Sequence, residues 1–274
     1  MGRTLTMLAC GVLLVGCGGA DVPETAGADQ PLDKMVAVGD HKLYLTCEGS
    51  GSPTVILEAG LTGDHRTWNK VLPAVASKTR VCAYDRANID PSETAPTPRT
   101  AQDMVADLHA LAAAEKLDRP YVLVGFSFGG LVGQLYASTY PDDVGGLVLV
   151  ESNHPDEDDE FRAELTQAQI KADRQEVEAN GEGVDVFESL KQVQSASGLP
   201  DRPLVVVTAG ISEGWPPGWD PAVFDRLRAD QQKDLVGRVS DGTQLIASES
   251  GHDVPQSEPA VVIKGIQAVL AKIG

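Results

Sequence analysis

Eight short runs rich in β-branched and other apolar residues punctuate the chain, and from the third onward they alternate with stretches of helical periodicity. The runs are Met35–Val38, Lys42–Cys47, Thr54–Leu57, Arg80–Tyr84, Tyr121–Val124, Gly146–Val150, Leu204–Thr208 and Gln244–Ala247. Gly39-Asp40, between the first two, is a two-residue hairpin signal. Pro98–Lys116 places Met104, Val105, Leu108 and Leu111 on one helical face with charges opposite, and Ser127–Tyr140, Pro221–Val236 and Glu258–Ile273 also read as helices. Strands that alternate with helices predict an α/β fold built on a mostly parallel sheet covered on both faces. Residues 152–200 break the alternation: they hold helix formers and no strand pattern, which predicts a helical insertion between the sixth and seventh strands. It opens with five acids, Asp156–Glu160. We read these as a solvated helix start, where negative charge suits the N-terminus, rather than as a cation site.

The first residues follow another pattern. Met1–Gly16 has one early cation (Arg3), an apolar stretch and then small residues, the layout of a secretory signal and too short to span a membrane. Leu14-Val15-Gly16-Cys17 resembles the lipobox of bacterial lipoproteins, which implies cleavage before Cys17 and lipidation of that cysteine; the alternative is a plain signal peptide with an incidental cysteine. Residues 18–33 are Gly, Ala, Pro and acid with almost nothing to bury, so 17–33 reads as a lipidated cysteine and flexible tether. The folded unit is expected to start near Lys34 and to form one domain over 34–274. The expected location is outside the cytoplasm, lipid-anchored to the cell envelope. No later apolar run is long enough to cross a membrane.

Composition narrows the partners. The net charge is −18, and loss of residues 1–16 would remove one cation and no acid. Such a surface repels phosphates, which excludes nucleic acid as a partner and leaves membrane contact to the lipid alone. Among four cysteines, Cys10 falls in the signal and Cys17 in the lipobox, leaving Cys47 and Cys82. No zinc spacing and no dinucleotide fingerprint is present, and Gly49–Pro53 lacks the Lys-Ser/Thr of a phosphate loop. Neither metal nor organic cofactor is expected.

The strongest chemical signal is Gly125-Phe126-Ser127-Phe128-Gly129, which follows a β-rich run and precedes a helical one. That context makes G-x-S-x-G a nucleophile elbow, with glycines at 125 and 129 sparing a tight turn from collisions with the serine. With LEAGLTGDHRTW (57–68), YDRA (84–87), LVLVESNHP (147–155) and SGHDVP (250–255), the chain resembles the α/β-hydrolase superfamily, in its short-cap branch, over residues 35–273. The resemblance implies an eight-stranded sheet with a small helical cap at 152–200, Ser127 as nucleophile and His252 as its base. Two acids compete to orient His252: Glu151, at the end of the sixth strand, which we prefer, and Glu213, after the seventh. The resemblance also implies oxyanion donors in the backbone N–H groups of Leu61 and Phe128. Relatives usually read His-Gly where this chain reads Ala59-Gly60, and often carry glycines where it reads Ala87–Ser92, so the packing of both segments is open.

In this superfamily's strand order the second and fourth strands are neighbours, which implies a Cys47–Cys82 disulfide; two buried free thiols are the alternative. His41 and His109 read as surface or packing residues, and His65 and His154 as candidates to line the pocket. Trp215 and Trp219 either rim an acyl pocket or pack a loop. The function implied is a carboxylesterase acting on small esters, because the cap looks small and polar. An amide or C–C bond hydrolase on the same residues, or a binding lipoprotein without activity, are the alternatives.

Overall fold

The computed structural model describes residues 1–2, 31–212 and 214–273. Cys17, most of the expected leader and tether, and the alternative acid Glu213 lie outside the described residues. β1 (Leu32–Val38) and β2 (His41–Glu48) form an antiparallel hairpin in which Val38 faces His41 across the Gly39-Asp40 turn. β3 (Val55–Glu58), β4 (Val81–Tyr84), β5 (Tyr121–Phe126), β6 (Val144–Val150), β7 (Leu204–Ala209) and β8 (Gly242–Ala247) complete a sheet of eight strands ordered β1-β2-β4-β3-β5-β6-β7-β8. β2 meets β4 antiparallel; from β4 to β8 every pairing is parallel. All eight expected strands are present.

The helices are α1 (Leu72–Ala76), α2 (Ala101–Ala114), α3 (Phe128–Thr139), α4 (Glu157–Ala163), α5 (Gln167–Glu178), α6 (Val186–Gln194), α7 (Pro221–Gly237), α8 (Val254–Ser257) and α9 (Pro259–Ile273). Residues two apart on a strand share a face. Leu204 and Val206 join the core formed with α2, α3 and α7, whereas Val205 and Val207 join the core under α1 and α9. This is the doubly covered α/β sheet expected, with α4, α5 and α6 as the helical insertion.

Three boundaries differ. The first strand starts at Leu32, not Met35, because Leu32 and Asp33 still pair with Cys47 and Thr46 at the sheet edge, where Asp33 and Lys34 are exposed and break the hydrophobic pattern. α2 starts at Ala101, not Pro98: Thr100 and Asp103 form a capping box, and the Arg99 backbone is drawn off to the insertion, its N–H donating to Gly183 O at 2.9 Å. It ends before Lys116, whose φ of 51° turns the chain left-handed. The acid run is also less solvated than expected: Asp158 is half-buried and pairs with Arg162 and Arg174, and burial pushes the Glu157 carboxyl up despite its contacts to Arg228 and Asn153.

Cys47 and Cys82 stand directly opposite each other on β2 and β4, with Cα atoms 4.1 Å apart, and are joined as a disulfide. Both are fully buried.

Candidate active site

The site is built at the C-terminal ends of the central strands. β5 runs into α3 through Ser127, whose φ of 53° and ψ of −123° lie in a region few non-glycine residues adopt. The Ser127 N–H donates to Val150 O at 2.9 Å, which ties the turn to the end of β6. Glycine at the elbow is required by packing, but not against the serine. A Cβ on Gly125 would meet Gly129 O at 2.4 Å; one on Gly129 would meet Ala59 O at 2.3 Å; one on Gly130 would meet Ser152 Oγ at 2.3 Å. The glycines let α3 press onto β3 and the segment after β6, correcting the expectation of a clash around residue 127 itself.

His252 comes from the loop between β8 and α8. Its Nε2 lies 3.0 Å from Ser127 Oγ and its Nδ1 lies 3.4 Å from Glu151 Oε2. The ring leans on Phe126 with centroids 5.0 Å apart. The loop is anchored where Ile211 N–H donates to Ser250 O at 3.0 Å. Glu151 follows β6 with a φ of 45°, a turn held because its own N–H donates to Val207 O at 2.8 Å. Its Oε1 accepts from Ala209 N–H at 2.7 Å, and Arg228 Nη1 stands 3.6 Å from Oε2. Burial pushes this carboxyl up, but His252, Arg228 and the Ala209 N–H outweigh it and hold Glu151 below its ordinary value. Downstream, Gln134 binds Ser152 Oγ and Asn153 O, and Gln232 binds Ser152 O, so the segment carrying Glu151 is stitched to α3 and α7.

Leu61 lies on the loop after β3, half-buried, and Phe128 is buried at the start of α3. Gly60 brings this loop against the elbow: a Cβ there would sit 3.3 Å from Ser127 Cβ. Gly63 N–H donates to Gly60 O at 3.0 Å, closing a turn with Leu61 and Thr62 at its centre. The structure therefore gathers Ser127, His252, Glu151, Phe128 and the Leu61 loop at one edge of the sheet.

Other candidates separate. His65 Nδ1 and N–H both reach Asp85, at 2.9 and 2.6 Å, and Asp64 caps the turn of His65–Trp68 through Arg66 N–H. These contacts account for the close grouping of Asp64, His65 and Asp85. His154 is buried with Nε2 2.9 Å from Asp234, away from a pocket-lining role. His41 is buried between Asp40 and Asp107, and His109 stacks on Tyr140 at 3.9 Å. Trp215 and Trp219 stack on each other at 6.0 Å and meet Phe161 edge-on. They also wall a cavity of about 210 Å³ in which Phe161, Leu165, Phe187 and Leu190 stand beside charged Glu157, Asp158, Arg162 and Asp173, so the inner side of the insertion mixes aromatic and charged side chains. Arg228 closes this cavity beside Glu151, its guanidinium 5.3 Å over the Trp215 ring.

What the sequence reading missed is Arg86. It follows β4, is 3 % exposed as a side chain, and is saturated by two carboxylates and two carbonyls. An arginine two residues past a wholly apolar strand was the available signal, since a buried guanidinium demands partners. Those partners lie 28 and 96 residues away, so no local pattern names them.

The sequence model of the alpha/beta hydrolase fold family matches residues 53–237, and the chain belongs to that family. At this level it is a hydrolase. The Bacillus subtilis (strain 168) protein YqjL is 23% identical over 224 residues, spanning 78% of this chain and 82% of YqjL. A RutD protein of Yersinia enterocolitica, whose name refers to carbamate hydrolysis, is 35% identical over 114 residues; the match covers 40% of this chain and 41% of that protein. Among solved structures, the enol-lactonase of Burkholderia xenovorans LB400 superposes with a TM-score of 0.64 at 19% identity, over 87% of this chain and 100% of that one. A thermophilic esterase of Thermogutta terrifontis superposes with a TM-score of 0.60 at 19% identity, over 89% and 99%. At these identities the structural likenesses speak for the fold alone.

Proposed function

We propose that the chain is a serine hydrolase of carboxylic esters, with Ser127 as nucleophile, His252 as general base and Glu151 as the acid that orients it. The observation that carries the reading is the 3.0 Å contact between Ser127 Oγ and His252 Nε2 at a left-handed strand–helix turn. A serine hydroxyl needs such a base to be nucleophilic at neutral pH. Ser127 Oγ adds to the ester carbonyl while its proton passes to His252 Nε2. The N–H groups of Leu61 and Phe128 receive the oxyanion. On collapse the C–O bond to the alcohol breaks, and the alcohol leaves with the proton from His252. Water then repeats the sequence on the acyl-enzyme, releasing the acid and restoring Ser127. Glu151, ionised below the usual range, holds the His252 tautomer and balances the imidazolium.

The cavity walled by Trp215, Trp219 and Phe161, with charged side chains including Arg228 at its margin, supports a compact acyl group. At about 210 Å³ it is roomier than the ~150 Å³ apolar cavity that holds a benzene ring, so short-chain or single-ring acyl esters fit this reading. The partial match to the carbamate-hydrolase relative favours a second reading, amide cleavage by the same residues. A panel of p-nitrophenyl esters of graded chain length, with an acyl p-nitroanilide beside it and Ser127→Ala as control, tests both. Turnover that peaks at short or aryl acyl groups and vanishes in the control supports esterase action. Turnover of the anilide alone replaces it with the second reading.

We propose in addition that Cys17 carries a lipid that tethers the domain to the envelope of the exporting cell. Partition of the full-length product into detergent phase, lost in Cys17→Ser, tests this; a soluble product cleaved elsewhere rejects it.

A further inference from the structure

We propose that Arg86 and Glu182 are positioning residues that hold the Leu61 N–H in place for the oxyanion, and that Glu182 makes the insertion part of the catalytic apparatus. This rests on the serine-hydrolase reading above. Leu61 is gripped on both sides. On one side, Arg86 Nη1 donates to Ala59 O and Nη2 to Gly60 O, each at 2.6 Å. On the other, Thr62 N–H donates to Glu182 Oε2 at 2.9 Å. The same two side chains hold each other: Arg86 Nε reaches Glu182 Oε1 at 2.5 Å and Nη2 reaches Oε2 at 2.9 Å. Glu58, at the end of β3, takes Arg86 Nη1 on one oxygen and the Tyr84 hydroxyl on the other. Glu182 is fully buried although it belongs to residues 152–200.

The loop needs this grip. Thr62 sits at φ 59°, a left-handed conformation that a β-branched residue avoids and that turns of this kind reserve for glycine or asparagine. Such a conformation persists only where surroundings over-determine it. Arg86 and Glu182 supply the constraint from opposite sides of Leu61. The segment bearing Glu182 is itself fixed to the core, with Asn88 Nδ2 donating to Glu182 O at 3.0 Å and Arg99 pairing with Gly183 and Asp185. A donor aimed at developing charge acts only if it is preorganised, so slack in this loop falls on the transition state and not on the bound ester.

The test uses Glu182→Gln and Arg86→Lys in the full chain, avoiding alanine at buried charges. Three quantities are read: kcat and KM for a p-nitrophenyl ester, the inhibition constant of an alkyl trifluoromethyl ketone that forms a tetrahedral oxyanion, and amide hydrogen exchange over residues 58–66. Losing one oxyanion donor outright costs about 100- to 1,000-fold, so a misplaced one is expected to lower kcat by roughly 10- to 100-fold. The ketone should weaken by a similar factor, KM should change less than about threefold, and the loop should exchange faster. Wild-type kcat and ketone affinity in both variants would overturn the inference, as would equal losses in KM and ketone affinity. A wild-type protein that turns over no ester or amide and reacts with no ketone would overturn the hydrolase reading, and this inference with it.

Discussion

Gly129, in the first turn of the helix after the nucleophile, lies so close beneath Ala59 that a Cβ on it would stand 2.3 Å from the Ala59 carbonyl oxygen. The elbow and the loop after β3 are therefore packed backbone to backbone, and neither can shift without the other. Gly129→Ala is expected to destabilise by at least the roughly 1–3 kcal/mol of an overpacked core, because the obstructing atoms are main chain. Gly133→Ala, four residues on in the same helix with open space at its Cβ, should instead stabilise by about 0.5–1 kcal/mol. Urea midpoints of the two variants check the contrast; equal midpoints would contradict it.

The backbone at Ser127 suggests a second measurement. Strain at such a conformation costs about 1–3 kcal/mol in a non-glycine residue, whereas glycine adopts it freely at an entropic cost nearer 0.5–1. Ser127→Gly and Ser127→Ala both lose the hydroxyl and its contact with His252. The glycine variant is nevertheless expected to melt higher than the alanine variant, reversing the usual order. Thermal denaturation of the pair checks this, and both should lack esterase activity.

Glu151 gives a prediction in pH. Its carboxyl is held below the ordinary value of 4.5, chiefly by His252, Arg228 and Ala209 acting against burial. A depressed folded value means that its ionic contribution to stability is fully present above the unfolded value and is lost as pH falls through the folded one. The stability difference between wild type and Glu151→Gln should therefore be flat at neutral pH and shrink as pH drops below about 4.5. Urea unfolding at pH 7, 5, 4 and 3 measures it; a difference that grows on acidification contradicts the assignment. At neutral pH the same variant should lose about 100- to 10,000-fold in kcat, while Glu213→Gln retains activity.

Much of this was legible in the chain. All eight strands and the four long core helices stand within a few residues of their hydrophobic patterns, because strands buried on both faces leave apolar runs that turns interrupt. Ser127 and His252 were readable because each sits at a fixed place in that alternation. The edge strand began earlier than expected, since Leu32–Lys34 pair through backbone atoms that carry no sequence signature. The Arg86–Glu182 pair was invisible for a related reason: burial of an ion pair depends on which distant segments meet, and residues 86 and 182 join only once the insertion folds over the loop after β3. The apolar part of the insertion's inner side was likewise hidden, because Phe161, Phe187 and Leu190 are spread among acids and glutamines on two short helices, α4 and α6.

The disulfide offers a prediction about stability. Cys47 and Cys82 are 35 positions apart, and a loop of that size is expected to contribute roughly 3–4 kcal/mol by restricting the unfolded chain. The Cys47→Ala/Cys82→Ala variant should lower the urea midpoint accordingly while leaving kcat within about twofold, since the pair lies away from Ser127. Free thiols in the wild-type protein purified without reductant would contradict the bridge.

The central claim is that Ser127 is made nucleophilic by His252. Labelling with a fluorophosphonate, followed by peptide mass spectrometry, addresses it directly. The account predicts a single adduct on the peptide carrying Ser127, with a labelling rate that falls at least 100-fold in His252→Ala although the protein remains folded. A folded wild-type protein that takes up no label, or that labels equally fast without His252, would contradict it.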